Sequence, residues 1–444
     1  MFEEKAQQGE VDAQTDPHSP DQLGKEEIKL DSHGLPLIPQ PSTDPSDPLN
    51  FPQWLKIVIL LQVSFMVGLG PLNQAVINPA YVPLAAHFHK TTVVASYQTT
   101  IAIAFVGVGS FLWVPLANTY GRRPVLLFTT LLSAASCLGS GKAETWAQLI
   151  GTRILNGIGT SSFFTLGAGV VADCFFLHER GRAMGIFTVF LTNSAHVAPI
   201  PGGFLAQYVN FRWYPGILDL TMFFIMLFCL PETIYVRGST PVVTRRPIIR
   251  RLKLWGLSPE EKHLKLSDFG RPFQMFIYPP VLISAAYYSV TFVLGSILPA
   301  VTSATLFRLV HNFTTSQTGR KVKGGEVVPE VRLQAIWAGA ILQPIGLLIW
   351  GFCWQYRTVL YSYTADCYKP QTPEIAQVLN FTRQTVGMTV GFWAIPMGVK
   401  IGYQYMSITL ALISLVTFLP VLYLMRHGKN VRAKMGLPSF NQGL

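Results

Sequence analysis

The feature that most constrains this chain is a succession of apolar runs, each long enough to cross a bilayer as a helix. Ten such runs lie at about 55–78, 94–117, 124–141, 146–172, 183–207, 213–231, 273–299, 335–354, 378–399 and 406–425. About 20 apolar residues span the hydrocarbon layer as a helix, and no open sheet or loop can cross it, because its backbone groups would find no water there. The sequence therefore predicts an all-α membrane protein with about ten clear transmembrane helices.

Composition and charge indicate that the chain contacts lipid and does not bind nucleic acid. Half of the residues are apolar and only 13% are charged, which is too little charge for a soluble chain of 444 residues. The net charge is +11, but the basic residues lie between the apolar runs and not along one face. We therefore expect the bilayer, and no nucleic acid, as a partner.

The distribution of charge predicts how the chain is divided. The first 50 residues hold eleven acids, three lysines and many prolines, which is typical of a disordered tail. Lysine and arginine concentrate in alternate connections, as they do on the cytoplasmic side of membrane proteins. The predicted parts are a cytoplasmic tail at 1–50, a six-helix bundle at 51–236, a basic cytoplasmic loop at 237–272, an incomplete helical bundle at 273–425 and a cytoplasmic tail at 426–444. The basic loop is interpreted as a solvated linker, with a regulatory or lipid head-group site as the alternative.

The loop after the second run reads Asn118-Thr-Tyr-Gly121-Arg122-Arg123. It resembles the signature loop of the major facilitator superfamily, although an Asp is usual where Asn118 stands. Glycine permits a tight turn, and arginines at a helix end can cap carbonyls or pair with a carboxylate. The alternative is that Arg122 and Arg123 only fix the orientation of the chain in the membrane, which explains these residues nearly as well.

Two further patterns lie inside apolar runs. Arg153-Ile-Leu-Asn-Gly157-Ile-Gly159 resembles the fourth helix of the same superfamily. An arginine at membrane depth is costly and indicates a functional site, with a side chain that reaches the surface as the alternative. The fifth run contains Pro199-Ile-Pro201-Gly202-Gly203, similar to an element of the antiporter branches, where prolines and glycines kink a helix that moves.

Other segments are similar to the fungal drug:proton antiporter branch, among them Leu230-Pro231-Glu232-Thr233 and the stretch from Asp173 to Gly185. The resemblance implies a two-bundle helical transporter with twelve helices, a small organic substrate and protons as the coupled ion. It also implies a multi-pass protein of the plasma membrane, with the vacuolar membrane as the alternative. No cofactor and no metal are expected.

The predicted site residues fall into two groups. Candidates for transport or coupling are Arg153, Asn193, His196 and Arg383. Candidates for a conformational gate are Asn118, Gly121, Arg122, Arg123, Asp173, Pro199, Pro201, Gly202, Gly203 and Glu232. For His196 the alternative is a packing role. For Arg383 it is a structural ion pair at a helix end. For Asp173 and Glu232 it is an ordinary end-capping ion pair. Four aromatic residues of the second half are expected to line a cavity or to anchor at the lipid interface, namely Tyr287, Tyr288, Trp337 and Trp393. Asp219, near the outer end of its run, is expected to lie away from the substrate.

The second half departs from the twelve-helix pattern. Asn312-Phe-Thr314 is a glycosylation acceptor if it lies outside, yet the basic string at 320–323 belongs inside, and no apolar run separates the two. The segment from 356 to 366 is likewise too short to cross as a helix. The eighth helix and most of the tenth are therefore predicted to be missing, through a deletion or an error in the gene model.

Two functions remain open at this point. No phosphate loop, zinc-binding helix motif or nucleophile elbow occurs, so an enzyme is not expected. The intact first half favours proton-coupled efflux of a drug or secondary metabolite, with import of a polyamine-like cation as a variant. The gaps in the second half favour a truncated product that transports nothing, or a sensor.

Overall fold

The computed structural model describes residues 37–77, 81–198, 201–202, 213–235, 264–298, 363–364, 367–368, 371–436 and 438, with residues 38, 43, 45 and 46 left out. Every regular element in these ranges is helical. The predicted basic loop is described only from residue 264 onward. Asn312, the ninth-helix run at 335–354 with Trp337, and the two predicted gaps lie outside the described residues.

The first bundle is built around one central helix. Its helices are α1 (Gln53–Ala75), α2 (Tyr81–His87), α3 (Thr92–Tyr120), α4 (Arg122–Gly141), α5 (Trp146–Cys174), α6 (Leu177–Val197) and α7 (Tyr214–Cys229). Helix α5 packs against α1, α3 and α4. A Cβ atom at Gly157 would meet the Ala102 carbonyl of α3 at 2.5 Å, and one at Gly159 would meet the Ser133 amide of α4 at 3.0 Å. The two glycines thus allow close helix packing.

Three long helices of the second half follow. They are α8 (Pro279–Phe292), which continues into a π-helical turn at Val293–Ile297, α9 (Thr372–Ile401) and α10 (Tyr403–Met435). Helix α9 joins the halves because it packs against α3 and α5 of the first bundle as well as α8. Its polar residues make this contact: the Gln377 amide donates to the Ser110 carbonyl at 2.9 Å, and the Asn380 amide to the Val106 carbonyl at 3.4 Å.

Several helices match the expected spans. Among the described residues, five are long and apolar enough to cross a membrane, namely α1, α3, α4, α5 and α10, and a sixth is added if the helical segment Arg271–Ile277 and α8, bent by 94°, form one span. Helix α7 is shorter, with 16 residues. Helices α6 and α9 also run through predicted spans, and both carry an acidic residue in their first turn, Glu179 in α6 and Glu374 in α9.

Two predicted boundaries shift in the structure. Helix α6 begins at Leu177 rather than at 183, because Glu179 is a favourable residue for the first turn of a helix. The end of the predicted tail, Pro48–Asn50, forms a 3₁₀ turn capped by the buried Asp47 carboxylate, which accepts from the Leu49 amide at 3.0 Å.

Candidate functional site

The turn between α3 and α4 is held by one carboxylate. Gly121 has a φ of +108°, which favours glycine. The Glu232 carboxylate, which follows α7, accepts the backbone N–H groups of Arg122 at 3.0 Å and Arg123 at 3.1 Å. A negative charge is stabilising at the N-terminus of a helix, where the first N–H groups have no partner within the helix. Glu232 therefore caps α4 and fixes the turn.

The two arginine side chains extend this contact to other helices. Arg122 forms an ion pair with Asp173 at the end of α5. The Arg123 guanidinium is 1% exposed and donates to the Leu227 carbonyl of α7 at 2.6 Å. Asn118 is half-buried in the last turn of α3. The structure thus brings together the predicted gate residues of this loop, and the contacts named here tie α4 to α5 and α7 within the first bundle.

The predicted residues of the fifth run lie at the opposite end of α1 and α6. Asn193 and His196 are half-buried in the last turns of α6. Gly202 is buried, and a Cβ atom there would collide with the Val76 carbonyl at the end of α1. Pro201 is partly exposed beside it, while Pro199 and Gly203 lie outside the described residues.

A buried polar cluster surrounds Asp219 on α7. Its carboxylate is 0% exposed and accepts from the Asn73 amide at 2.9 Å and from the Ser133 hydroxyl at 2.5 Å. The Asn156 amide donates in turn to the Ser133 hydroxyl at 3.1 Å and approaches the Cys137 sulfur at the same distance. Burying a charge without a cation costs several kcal/mol, so a carboxylate in this place indicates function. We call these five residues the Asp219 cluster.

Arg153 lies beside this cluster. It is 5% exposed, so its side chain does not reach the surface, and its guanidinium donates to the Asn73 carbonyl oxygen at 3.3 Å. Asn73 thus contacts Arg153 through its backbone and Asp219 through its side chain. No ion pair forms between Arg153 and Asp219 in the described part of the chain. The two charges are linked through a neutral residue.

The sequence reasoning missed the Asp219 cluster. The sequence predicts that Asp219 lies near the outer end of its run and away from the substrate, but it does not predict that the carboxylate is fully buried against α1 and α4. A carboxylate inside an apolar run was the available signal. The partners could not be found in the same way, because Asn73, Ser133 and Asn156 lie on different helices and follow no spacing rule.

A small cavity of about 40 Å³ lies between the two halves. We call it the central cavity. It is lined by Phe164 and Ala168 of α5, Met184, Phe187, Thr188 and Leu191 of α6, Tyr288 of α8, and Ala376, Leu379, Asn380 and Arg383 of α9. Its wall is thus mostly apolar and aromatic, with a few polar groups, which is typical of a small-molecule site.

Arg383 supplies the charge of the central cavity. It lies about three turns into α9 and is 2% exposed, rather than pairing at the helix end. One of its amino groups donates to the Asn380 side-chain oxygen at 2.6 Å and the other to the Tyr288 hydroxyl at 3.4 Å. Its central carbon also lies 4.4 Å from the centre of the Phe292 ring. Of the predicted aromatic residues that the structure describes, Tyr288 lines this cavity and Tyr287 and Trp393 do not.

Comparison with known proteins decides the family. The profile of the Major Facilitator Superfamily matches residues 63–352, which is more than half of the chain. The chain belongs to the major facilitator superfamily. This family consists of membrane transporters, and the chain is therefore an integral membrane protein related to fungal transporters.

Individual relatives agree with this assignment. The chain is 27% identical to the MFS-type protein mpsC of Macrophomina phaseolina, over 63% of this chain and 57% of that protein, so it spans little more than half the length of mpsC. It is 26% identical to the efflux pump vrtL of Penicillium aethiopicum, over 70% and 68% of the two chains. The solved structure of the proton:xylose symporter XylE superposes with a TM-score of 0.56 at 13% identity, covering 85% of this chain and 96% of XylE, which shows a shared fold.

Proposed function

We propose that this protein exports a small organic compound, such as a drug or a secondary metabolite, in exchange for protons, and that the compound binds in the central cavity. The observation that carries the proposal is the position of this cavity. Helices of the first bundle form one wall and helices α8 and α9 form the other. Carriers of two bundles bind their substrate at such an interface and expose it to either side in turn. The relative vrtL bears the name of an efflux pump.

The Asp219 cluster supports the coupling to protons. Carboxylates at membrane depth serve as proton-carrying groups in transporters. Asp219 is buried, and its second carboxylate oxygen has no hydrogen-bond partner in the described residues. In this proposal Asp219 takes up and releases the proton, while Arg153 holds the backbone of Asn73 in place through its hydrogen bond.

Two alternatives are weaker in view of the cavity. Import of a polyamine-like cation would bring a positive charge against the guanidinium of Arg383, which has no carboxylate partner in the described residues. A truncated product that transports nothing would not need a binding site between its halves. The central cavity is lined by helices that this chain possesses, which supports transport by the chain itself.

The test is flux in proteoliposomes that contain the full 444-residue chain. A pH gradient is imposed, and the release of three fluorescent compounds is followed, one anionic (carboxyfluorescein), one neutral (Nile red) and one cationic (rhodamine 6G). We expect at least one compound to move faster than in empty liposomes, and a protonophore to abolish the excess. Rates equal to those of empty liposomes for all three would contradict the proposal.

A further inference from the structure

The charge balance of the central cavity points to the kind of compound that it holds. Arg383 is its one charged lining residue among those described, and its contacts there are all to neutral groups. A guanidinium buried in this way is costly, since the described residues offer it neutral acceptors and aromatic rings but no carboxylate, and it is shielded from bulk water. The group that relieves this cost is an anion.

The guanidinium still has donors to offer. Arginine has five N–H donors, of which the two contacts with Asn380 and Tyr288 use two. The Nε–H group is buried and has no acceptor in the described part of the chain. A planar carboxylate accepts two parallel hydrogen bonds from one guanidinium, which gives both affinity and orientation. The Asn380 and Tyr288 contacts hold the group in place for such a pairing.

The rest of the cavity wall is mostly apolar. Phe164 and Phe187 line the cavity from the first bundle and Leu379 lines it from α9, and the Phe164 ring centre lies 4.9 Å from the central carbon of Arg383. An aromatic or aliphatic body would be removed from water by these side chains. The wall therefore suits a molecule with one charged end and one apolar end.

We infer that the central cavity takes an organic anion, a compound with a carboxylate that binds Arg383 and an apolar body that packs against Phe164 and Phe187. This inference rests on the proposed function and adds the class of substrate to it. A cationic or neutral compound of the same shape would leave the guanidinium unbalanced. Among compounds that share one apolar body, affinity should therefore depend on the charge of the polar end group.

The experiment measures binding, not transport, so that it can fail independently of the proposed function. The full chain is held in nanodiscs of neutral lipid, and 2-naphthoate, 2-naphthamide and 2-naphthylmethylammonium are compared by equilibrium dialysis. We expect naphthoate to bind roughly ten- to a hundredfold more tightly than the amide, since hydrogen bonds to charged groups are the stronger ones. Equal retention of the three compounds, including retention of none, would overturn the inference, while gradient-driven flux of any compound would still support the proposed function.

Two variants show whether Arg383 is responsible. Arg383→Gln should lose the preference for naphthoate, and Arg383→Lys should keep part of it, because lysine retains the charge without the planar fork. Arg426→Gln is the matched control, since Arg426 is exposed on α10. An unchanged preference in Arg383→Gln, or an equal loss in Arg426→Gln, would overturn the assignment to Arg383. Size-exclusion profiles confirm that each variant is folded before its binding is read.

Discussion

At the scale of residues, Arg153, Asp219 and Arg383 are buried inside the helical bundles, and in the described part of the chain they form no ion pairs with each other. Arg153 and Asp219 meet through Asn73, and Arg383 meets Asn380 and Tyr288. Charges at membrane depth are retained where function needs them, because apolar replacements would be easier to bury. In the proposed function the Asp219 cluster carries the proton and Arg383 binds the substrate, at two separate places in the fold.

The division of roles predicts that Asp219→Asn uncouples transport. The asparagine side chain keeps the shape of Asp219 and can still accept from Asn73 and Ser133, but it cannot bind and release a proton. Flux driven by a pH gradient should be lost, whereas exchange of labelled for unlabelled substrate without a gradient should continue. Both rates are measured in the same proteoliposomes.

The control for this variant is Glu144→Gln, which removes an exposed carboxylate before α5. It should leave both rates unchanged. Gradient-driven flux at the wild-type rate in Asp219→Asn would show that the proton is carried elsewhere, with His196 of α6 as the next group to examine.

At the scale of elements, the turn between α3 and α4 is fixed by backbone geometry and by Glu232. In Gly121→Ala the new Cβ would lie 2.6 Å from a Glu232 carboxylate oxygen, at a φ that disfavours any side chain. We expect a loss of about 1–3 kcal/mol in the free energy of unfolding. Thermal unfolding of the purified protein measures it.

A second glycine provides the comparison. Gly185 lies in α6 with no atom within 4 Å of an added Cβ, so Gly185→Ala should be neutral or stabilise the helix by about 0.5–1 kcal/mol. Equal unfolding temperatures for Gly121→Ala and the wild type would show that the turn is not strained by a side chain.

The sequence predicted elements better than it predicted sites. Apolar length alone located α1, α3, α4 and α5 within a few residues, because the bilayer demands long unbroken helices. The sequence also places Glu232 at the end of an apolar run on the same side of the membrane as the loop arginines, where a carboxylate can pair with them, although it does not predict that Glu232 accepts from their backbone N–H groups. Whether these contacts act as a moving gate remains a prediction. The central cavity could not be foreseen, because its wall combines α5, α6, α8 and α9, which are far apart in sequence.

At the scale of the whole molecule, the predicted topology has both tails and residues 237–272 on the cytoplasmic side. In a version without native cysteines, Arg250→Cys should resist a membrane-impermeant maleimide in intact cells and react after permeabilisation. Lys142→Cys is the matched control, since Lys142 is exposed between α4 and α5 and is expected outside. Labelling at position 250 in intact cells would contradict the topology.

The central claim is that solute passes through the cavity between the two halves, and a side chain that fills this cavity tests it most directly. Ala168 is 2% exposed and lines the cavity on α5, whereas Ala411 lies on the exposed face of α10. The measurement is gradient-driven flux in proteoliposomes for Ala168→Trp and Ala411→Trp in the 444-residue chain, at equal amounts of folded protein. The account predicts that Ala168→Trp abolishes flux and that Ala411→Trp transports as the wild type does. Wild-type flux in Ala168→Trp would contradict it, because the solute would then follow another path.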